Sequence, residues 1–140
     1  MRRIPRIKSV MTPFPYSVAP SASLEDAVAM MRAHDIRHLP VCDNHAVIGM
    51  LSERDTQVAL ALRSDHATLR VADLCNDPYL VELDRRLDEV AAEMAARRIG
   101  VAIVMRGDKL AGVLTTTDVC RLLATTLREA YGDDEDDDVA

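Results

Sequence analysis

Two stretches of the chain set a hydroxyl three residues before a carboxylate, each at the end of a short apolar run that opens with glycine. Gly49-Met50-Leu51-Ser52-Glu53-Arg54-Asp55 returns as Gly112-Val113-Leu114-Thr115-Thr116-Thr117-Asp118, 63 residues further on. The chemistry open to such a pair is recognition rather than bond breaking. A carboxylate accepts hydrogen bonds from two neighbouring hydroxyls, which is how acidic residues hold a ribose. A hydroxyl at a helix start stands beside unpaired backbone N–H groups and the positive end of the helix dipole, where anions are favoured. A glycine at the end of a buried strand lets another backbone or a ligand come close. A single copy would read as a capped helix with an acid in its first turn. Two copies at one spacing point to a ligand.

The spacing carries beyond these phrases. It sets Pro15 on Pro78, Tyr16 on Tyr79, Val18 on Val81, Leu24 on Leu87, Met31 on Met94, Ile36 on Ile99 and Val41 on Val104, without a gap. The period exceeds the units of common solenoids and occurs only twice, so a duplicated domain is expected. Leu24, Ala27, Val28 and Met31 recur at helical spacing behind Ser21 and Ser23, which predicts a helix over residues 24–34. Apolar runs on either side of Asp43-Asn44-His45 predict a hairpin over 38–42 and 46–51, with its first strand at an edge or interrupted by Pro40. A second helix opens at Ser52 or Glu53 and runs to about residue 63, and Pro15-Tyr16-Ser17-Val18 precedes the rest as a short strand. The second half repeats this with a strand near 79–81, a helix over 86–98, a hairpin over 101–105 and 110–114, and a helix over 116–130. Residues 64–70 are the linker. The fold class is therefore α/β (α+β), two strand–helix–strand–strand–helix repeats over 8–64 and 71–130, with a tail over 131–140.

Composition narrows the function. Halves of about 60 residues are marginal alone, so the two are expected to share a core. Aromatics are 3% with no Trp, which leaves Val, Leu, Ile, Ala and Met to fill it; Met30, Met31, Met50 and Met94 fall in phase with the apolar faces. No apolar run approaches the roughly 20 residues of a membrane span, so no membrane partner is expected. The basic start lacks the apolar stretch of a signal peptide, and Cys42, Cys75 and Cys120 form no Cys-x-x-Cys pair, which fits the cytoplasm. The net charge of −6 is accounted for by Asp133, Asp134, Glu135, Asp136, Asp137 and Asp138. The remainder is formally neutral, with Arg2, Arg3, Arg6 and Lys8 clustered at its start, which argues against a general nucleic-acid binder. The acidic run cannot bury apolar area and is expected to be disordered. His34 and His38, four apart, could share a metal, but no Cys or carboxylate stands with them and no metal site is expected. No Ser-His-Asp or Cys-His set is evident, and no glycine-rich phosphate loop, so an enzyme is not expected.

The whole repeat, and especially Ile36-Arg37-His38-Leu39-Pro40-Val41 together with the Gly49 phrase, resembles the cystathionine-β-synthase-type (CBS) domain, and two in tandem resemble a stand-alone Bateman module. The resemblance covers about residues 8–127. It implies two α/β halves packed sheet to sheet about a pseudo-twofold axis, with two clefts that take AMP, ADP, ATP or a related adenosyl ligand, no required cofactor, and pairing into a homodimer through the helices. Carried over by position, Asp55 and Asp118 would hold ribose hydroxyls, and Ser52 and Thr115 the ribose or first phosphate. Arg54 would reach phosphate, a role a guanidinium suits. Tyr16, Ser17 and Val18, with Tyr79, Leu80 and Val81, would wall the adenine together with Ile36 and Ile99. Arg37 and His38 would point to the phosphates at the centre of the cleft, with Pro40 beside them.

The copies are unequal. Thr117 stands where the first half has Arg54, and Gly100, Val101 and Ile103 stand for Arg37, His38 and Pro40. The second half keeps a ribose grip and loses most of the phosphate grip. Two functions follow: a regulatory sensor that binds an adenine nucleotide and signals to an effector protein, or a structural dimerisation module that binds no ligand.

Overall fold

A computed structural model of the chain describes residues 3–13 and 15–132; the acidic run 133–138, and Arg2 of the basic start, lie outside the described residues. In the first half, helix α1 (Leu24–Ala33) begins where the Ser23 hydroxyl accepts the Asp26 N–H at 3.1 Å. Strands β2 (His38–Asp43) and β3 (Ala46–Ser52) form an antiparallel hairpin turning through Asn44 and His45, both at positive φ, and helix α2 (Glu53–Leu62) follows at once. The second half has β4 (Leu80–Glu82), α4 (Leu87–Arg97), β5 (Val101–Arg106), β6 (Lys109–Thr115) and α5 (Thr116–Tyr131). Its hairpin turns at Gly107, whose φ of 61° suits a residue without Cβ.

The expected strand at residues 15–18 shrinks to a single bridge, and two prolines explain why. In the second half β4 runs parallel to β5, and beyond its ends Ile103 N–H donates to Tyr79 and Leu83 N–H to Met105. The first-half equivalents of those two donors are Pro40 and Pro20, which have no N–H. Only the middle pair survives, Val18 N–H to Pro40 and Cys42 N–H to Val18, at 3.0 and 2.9 Å.

The segments leading into each repeat cross to the opposite half. The first leader holds a 3-10 turn (Ile7–Ser9) and strand β1 (Thr12–Pro13), and it lies on the second half: Ile7 N–H donates to Arg85, Lys8 N–H to Leu83, and β1 pairs with β6. The second leader, of which residues 64–70 were expected as linker, holds a 3-10 turn (His66–Thr68) and a short helix α3 (Val71–Leu74) and lies on the first half. There Val71 N–H donates to Ala22, Ala72 N–H to Pro20, and Asn76 exchanges two backbone hydrogen bonds with Met50. The leaders superpose at an offset of 64, so the duplication carries a one-residue gap ahead of the shared 63. The four-stranded sheet is ordered β1-β6-β5-β4; the hairpin β2-β3 mirrors it, with Val18 bridged to β2 and Asn76 to β3.

The apolar side chains gather in clusters, one of them Leu24, Ala59 and Leu69. Val18, Ala27, Met31, Leu39, Val41, Leu51 and Val71 pack one half. Ile7, Val81, Leu83, Leu87, Val90, Met94, Ala102, Val104 and Leu114 pack the other. Between the sheets, Met50 meets Val101, Ile103 and Met105. Ile7 and Val71, one from each leader, are fully buried in the opposite half's core, each worth roughly 1.5–3 kcal/mol of burial.

The motif glycines sit where the leaders cross. A Cβ on Gly112 would meet the Thr12 carbonyl oxygen at 2.6 Å, and one on Gly49 would meet Cys75 Sγ at 2.8 Å and the Asn76 carbonyl oxygen at 3.1 Å. It is another backbone that needs the space. Gly112→Ala is predicted to destabilise the protein by about 1–3 kcal/mol, as overpacking does, and Gly49→Ala by less, because its closest contact is a side chain. Urea midpoints measure both; an unchanged midpoint for Gly112→Ala contradicts the close crossing.

Candidate functional site

Successive residues of a strand face opposite sides of the sheet. Leu39, Val41 and Leu51 turn toward α1, so His38, Pro40 and Ser52 face the other sheet, as Met50 does. The same alternation sets Val101, Ile103 and Thr115 on the inner face of the second half, opposite Ala102, Val104 and Leu114. Ser17 and Leu80 share these inner faces, because their neighbours Val18 and Val81 are buried against the helices. The cleft between the sheets therefore collects Ser17, His38, Pro40 and Ser52 from one half and Leu80, Val101 and Thr115 from the other.

At the start of α2 the groups with chemistry converge. Ser52 lies opposite His38 across the hairpin, and its hydroxyl accepts the Asp55 N–H at 3.1 Å. The Asp55 carboxylate accepts from Asn76 Nδ2 at 2.8 Å through one oxygen; among the described residues no donor reaches the other. The Arg37 carbonyl takes the Glu53 N–H at 2.8 Å, which holds Arg37 at the helix N-terminus with its side chain exposed, and Arg54 is exposed in the first turn. His38 is held below its usual value of 6.5, first by burial and then by the Arg37 guanidinium, while Asp55 and Glu53 pull it up. A half-buried imidazole, two guanidiniums and a carboxylate with one open oxygen thus surround a helix N-terminus, an arrangement suited to a phosphate on one side and a diol on the other.

The equivalent corner of the second half is occupied by its own hydrogen bonds. Thr115 Oγ1 accepts the Asp118 N–H at 3.2 Å, and Asp118 Oδ2 accepts from the Thr115 N–H and Oγ1 at 2.9 and 3.0 Å, a closed capping box. Thr12 Oγ1 approaches the other oxygen at 3.5 Å and Arg121 at 3.8 Å, leaving the Asp118 side chain 10% exposed. Thr117 is exposed where Arg54 stands in the first half.

The residues expected to wall the adenine divide. Val18 and Val81 bury their side chains in the helix-facing cores, and Ile36 packs at the edge of the first. The Tyr16 ring stacks on His34 with centroids 3.6 Å apart. Tyr79 donates its hydroxyl to Glu93 at 2.8 Å beneath Arg97, and burial together with that carboxylate pushes its pKa up to about 12. Both rings lie over the last turn of a helix rather than in the cleft. Ile99 lines a separate apolar groove of about 370 Å³ between α4 and α5, with Met94, Ala95, Val119 and Cys120. Asn76 and Thr12, which face the two carboxylates, were not among the candidates; only the paired apolar positions Ile7 with Val71 and Val10 with Leu74 mark the shifted register that aligns them.

Comparison with known proteins places this architecture. The sequence matches the CBS domain over residues 7–61 and again over 71–125. The chain belongs to the CBS domain family. Hypoxic response protein 1 of Mycobacterium tuberculosis is 32% identical over 104 residues, 72% of this chain and 73% of that protein. A Vibrio cholerae protein described by acetoin utilization (AcuB) superposes with a TM-score of 0.80 at 28% identity, covering 92% of this chain and 98% of its own. The CBS domain of a bacterial CNNM/CorC family Mg2+ transporter, solved in complex with ATP, gives a TM-score of 0.75 at 25% identity, covering 85% and 87% of the two chains. CBS pairs are generally regulatory modules rather than catalysts, and among the described residues no helix is long and apolar enough to cross a membrane.

The depressed His38 has a consequence for stability in this CBS pair. Because folding lowers its affinity for a proton, its stabilising contribution is complete above pH 6.5 and is lost as the pH falls from there toward the folded value. Urea midpoints between about pH 7 and 5.5 should therefore fall more steeply for the natural chain than for His38→Gln. Parallel slopes contradict the buried, Arg37-flanked placement.

Proposed function

We propose that the protein is a regulatory sensor that binds an adenine nucleotide or related adenosyl ligand in the first cleft. The observation that carries this is the corner at the start of α2: an Asp55 carboxylate with an open oxygen, beside Ser52, Arg37, His38 and Arg54. Asp55 suits the ribose diol, and the cations with the helix N-terminus suit the phosphates. ATP in the transporter CBS domain supports the same class of ligand. In this assignment Asp118 and Thr115 form a weaker second site, and residues 8–64 and 71–130 are the two CBS repeats. A phosphate beside His38 favours its charged form, so binding takes up a proton and tightens as the pH falls.

An effector protein reads the occupied state, and the chain pairs with a second copy through its helices. Exposed Leu123, Leu127 and Tyr131 on α5, and Val58 and Leu62 on α2, support that pairing. Three free thiols, Cys42, Cys75 and Cys120, support a cytoplasmic location. A scaffold that binds nothing is favoured by one observation: both hydroxyl–Asp pairs also cap helices, and Thr115 with Asp118 does so completely.

A thermal-shift and calorimetric panel of AMP, ADP, ATP, NAD and S-adenosylmethionine decides between the two. At about 100 times its dissociation constant, a true ligand adds roughly 2.7 kcal/mol of stability. No binding by any of the five at millimolar concentration leaves the scaffold. Asp55→Ala is expected to cost about 1.5–3 kcal/mol of binding, and Asp118→Ala less, measured on folded protein. Equal losses contradict the assignment of the main site.

A further inference from the structure

Residues 12 and 76 hold equivalent places on the two crossing leaders, each facing the carboxylate of the opposite repeat's motif, yet they treat that carboxylate differently. An ionised carboxylate only accepts, so Asn76 presents its amide N–H, and at 2.8 Å it holds Asp55 firmly. Asp55 then does not return to the Ser52 N–H, and α2 is capped by the Ser52 hydroxyl alone. Thr12 carries a shorter side chain. Its hydroxyl reaches only to 3.5 Å from Asp118, the outer edge of hydrogen bonding, and Asp118 stays in its capping box. A ligand diol that took both oxygens of Asp118 would strand a half-buried Thr115 N–H and hydroxyl at Oδ2, whereas at Asp55 the oxygen that Asn76 does not hold is open.

We propose that the leader residue at this place decides which cleft offers its carboxylate to a ligand: Asn76 draws Asp55 out of its helix cap and Thr12 leaves Asp118 inside. Asn76 is thus a positioning residue for the first site, and the chain's own cap competes with a ligand at the second, which makes that site the weaker. The ligand side of this rests on the adenosine reading above; the carboxylate geometry does not. An exchange of the two residues tests it, with Thr12→Asn, Asn76→Thr and the natural chain each titrated with ATP by calorimetry. Amide hydrogen exchange is followed on the same proteins without ligand.

The natural chain should take up one ATP, Thr12→Asn should gain a second, and Asn76→Thr should bind roughly tenfold more weakly, the loss of one charge-assisted hydrogen bond's support. Without ligand, Thr115 amide exchange should quicken in Thr12→Asn and Ser52 amide exchange should slow in Asn76→Thr. Unchanged exchange at both amides overturns the proposal whatever binds, and so do two equal sites in the natural chain. Shifted exchange with no binding of ATP or the other adenosine compounds upholds the positioning and refutes the adenosine reading alone.

Discussion

Each leader is hydrogen-bonded to the half it does not precede, and the remaining organisation follows from that crossing. The bonds from Ile7 and Lys8 to Arg85 and Leu83, matched by Val71 and Ala72 to Ala22 and Pro20, prevent either half from closing its core without the other repeat's leader. Ile7 and Val71 are the fully buried side chains that pin these segments. The crossing also explains the glycines. Strands β3 and β6 can admit a foreign backbone at Gly49 and Gly112 only because no Cβ stands there. Beyond each glycine the strand ends in a hydroxyl that caps the next helix, so the residues that admit the leader and those that form the ligand corner lie within a few positions of one another.

Much of this was legible in one dimension. Alternation and helical spacing gave the hairpins and the four long helices because each is a local pattern, and three of those helices start at a capping hydroxyl, Ser23, Ser52 or Thr115. The duplication was legible because its halves keep apolar positions in phase. What escaped depends on partners distant in the chain. The strand expected at 15–18 failed because its ladder needed N–H groups from residues 20 and 40, both proline, a fact visible only once the parallel pairing is known. Residues 64–70 looked like linker because the leader they open answers to the opposite half. Asn76 and Thr12 were invisible for the same reason: nothing local to either residue announces a carboxylate many positions away.

The structure brings some of the candidate residues together at one corner and carries others away from it. Ser52, Asp55, His38 and Arg37 gather at the head of α2, as their spacing required, since a strand ending in a cap and a paired strand beginning at residue 38 bring them together. The tyrosines chosen for adenine instead cover the ends of α1 and α4, one on His34 and one between Glu93 and Arg97. These are equivalent contacts in the two halves, which marks them as part of the scaffold. The inequality between the copies is deeper than the loss of Arg54 and His38 in the second. It extends to the hydrogen-bonding state of the two equivalent aspartates, one with an open oxygen and one tied into its own cap.

The most direct measurement of the central claim is an ATP titration followed residue by residue in the backbone amide NMR spectrum. Shifts that saturate together and centre on residues 37–40, 49–55 and 76 are the predicted result, with residues 112–118 moving little or only at much higher ligand. Saturating shifts that centre on 112–118, or that fall in the groove between α4 and α5 around Ile99 and Cys120, would contradict the assignment of the ligand to the first cleft.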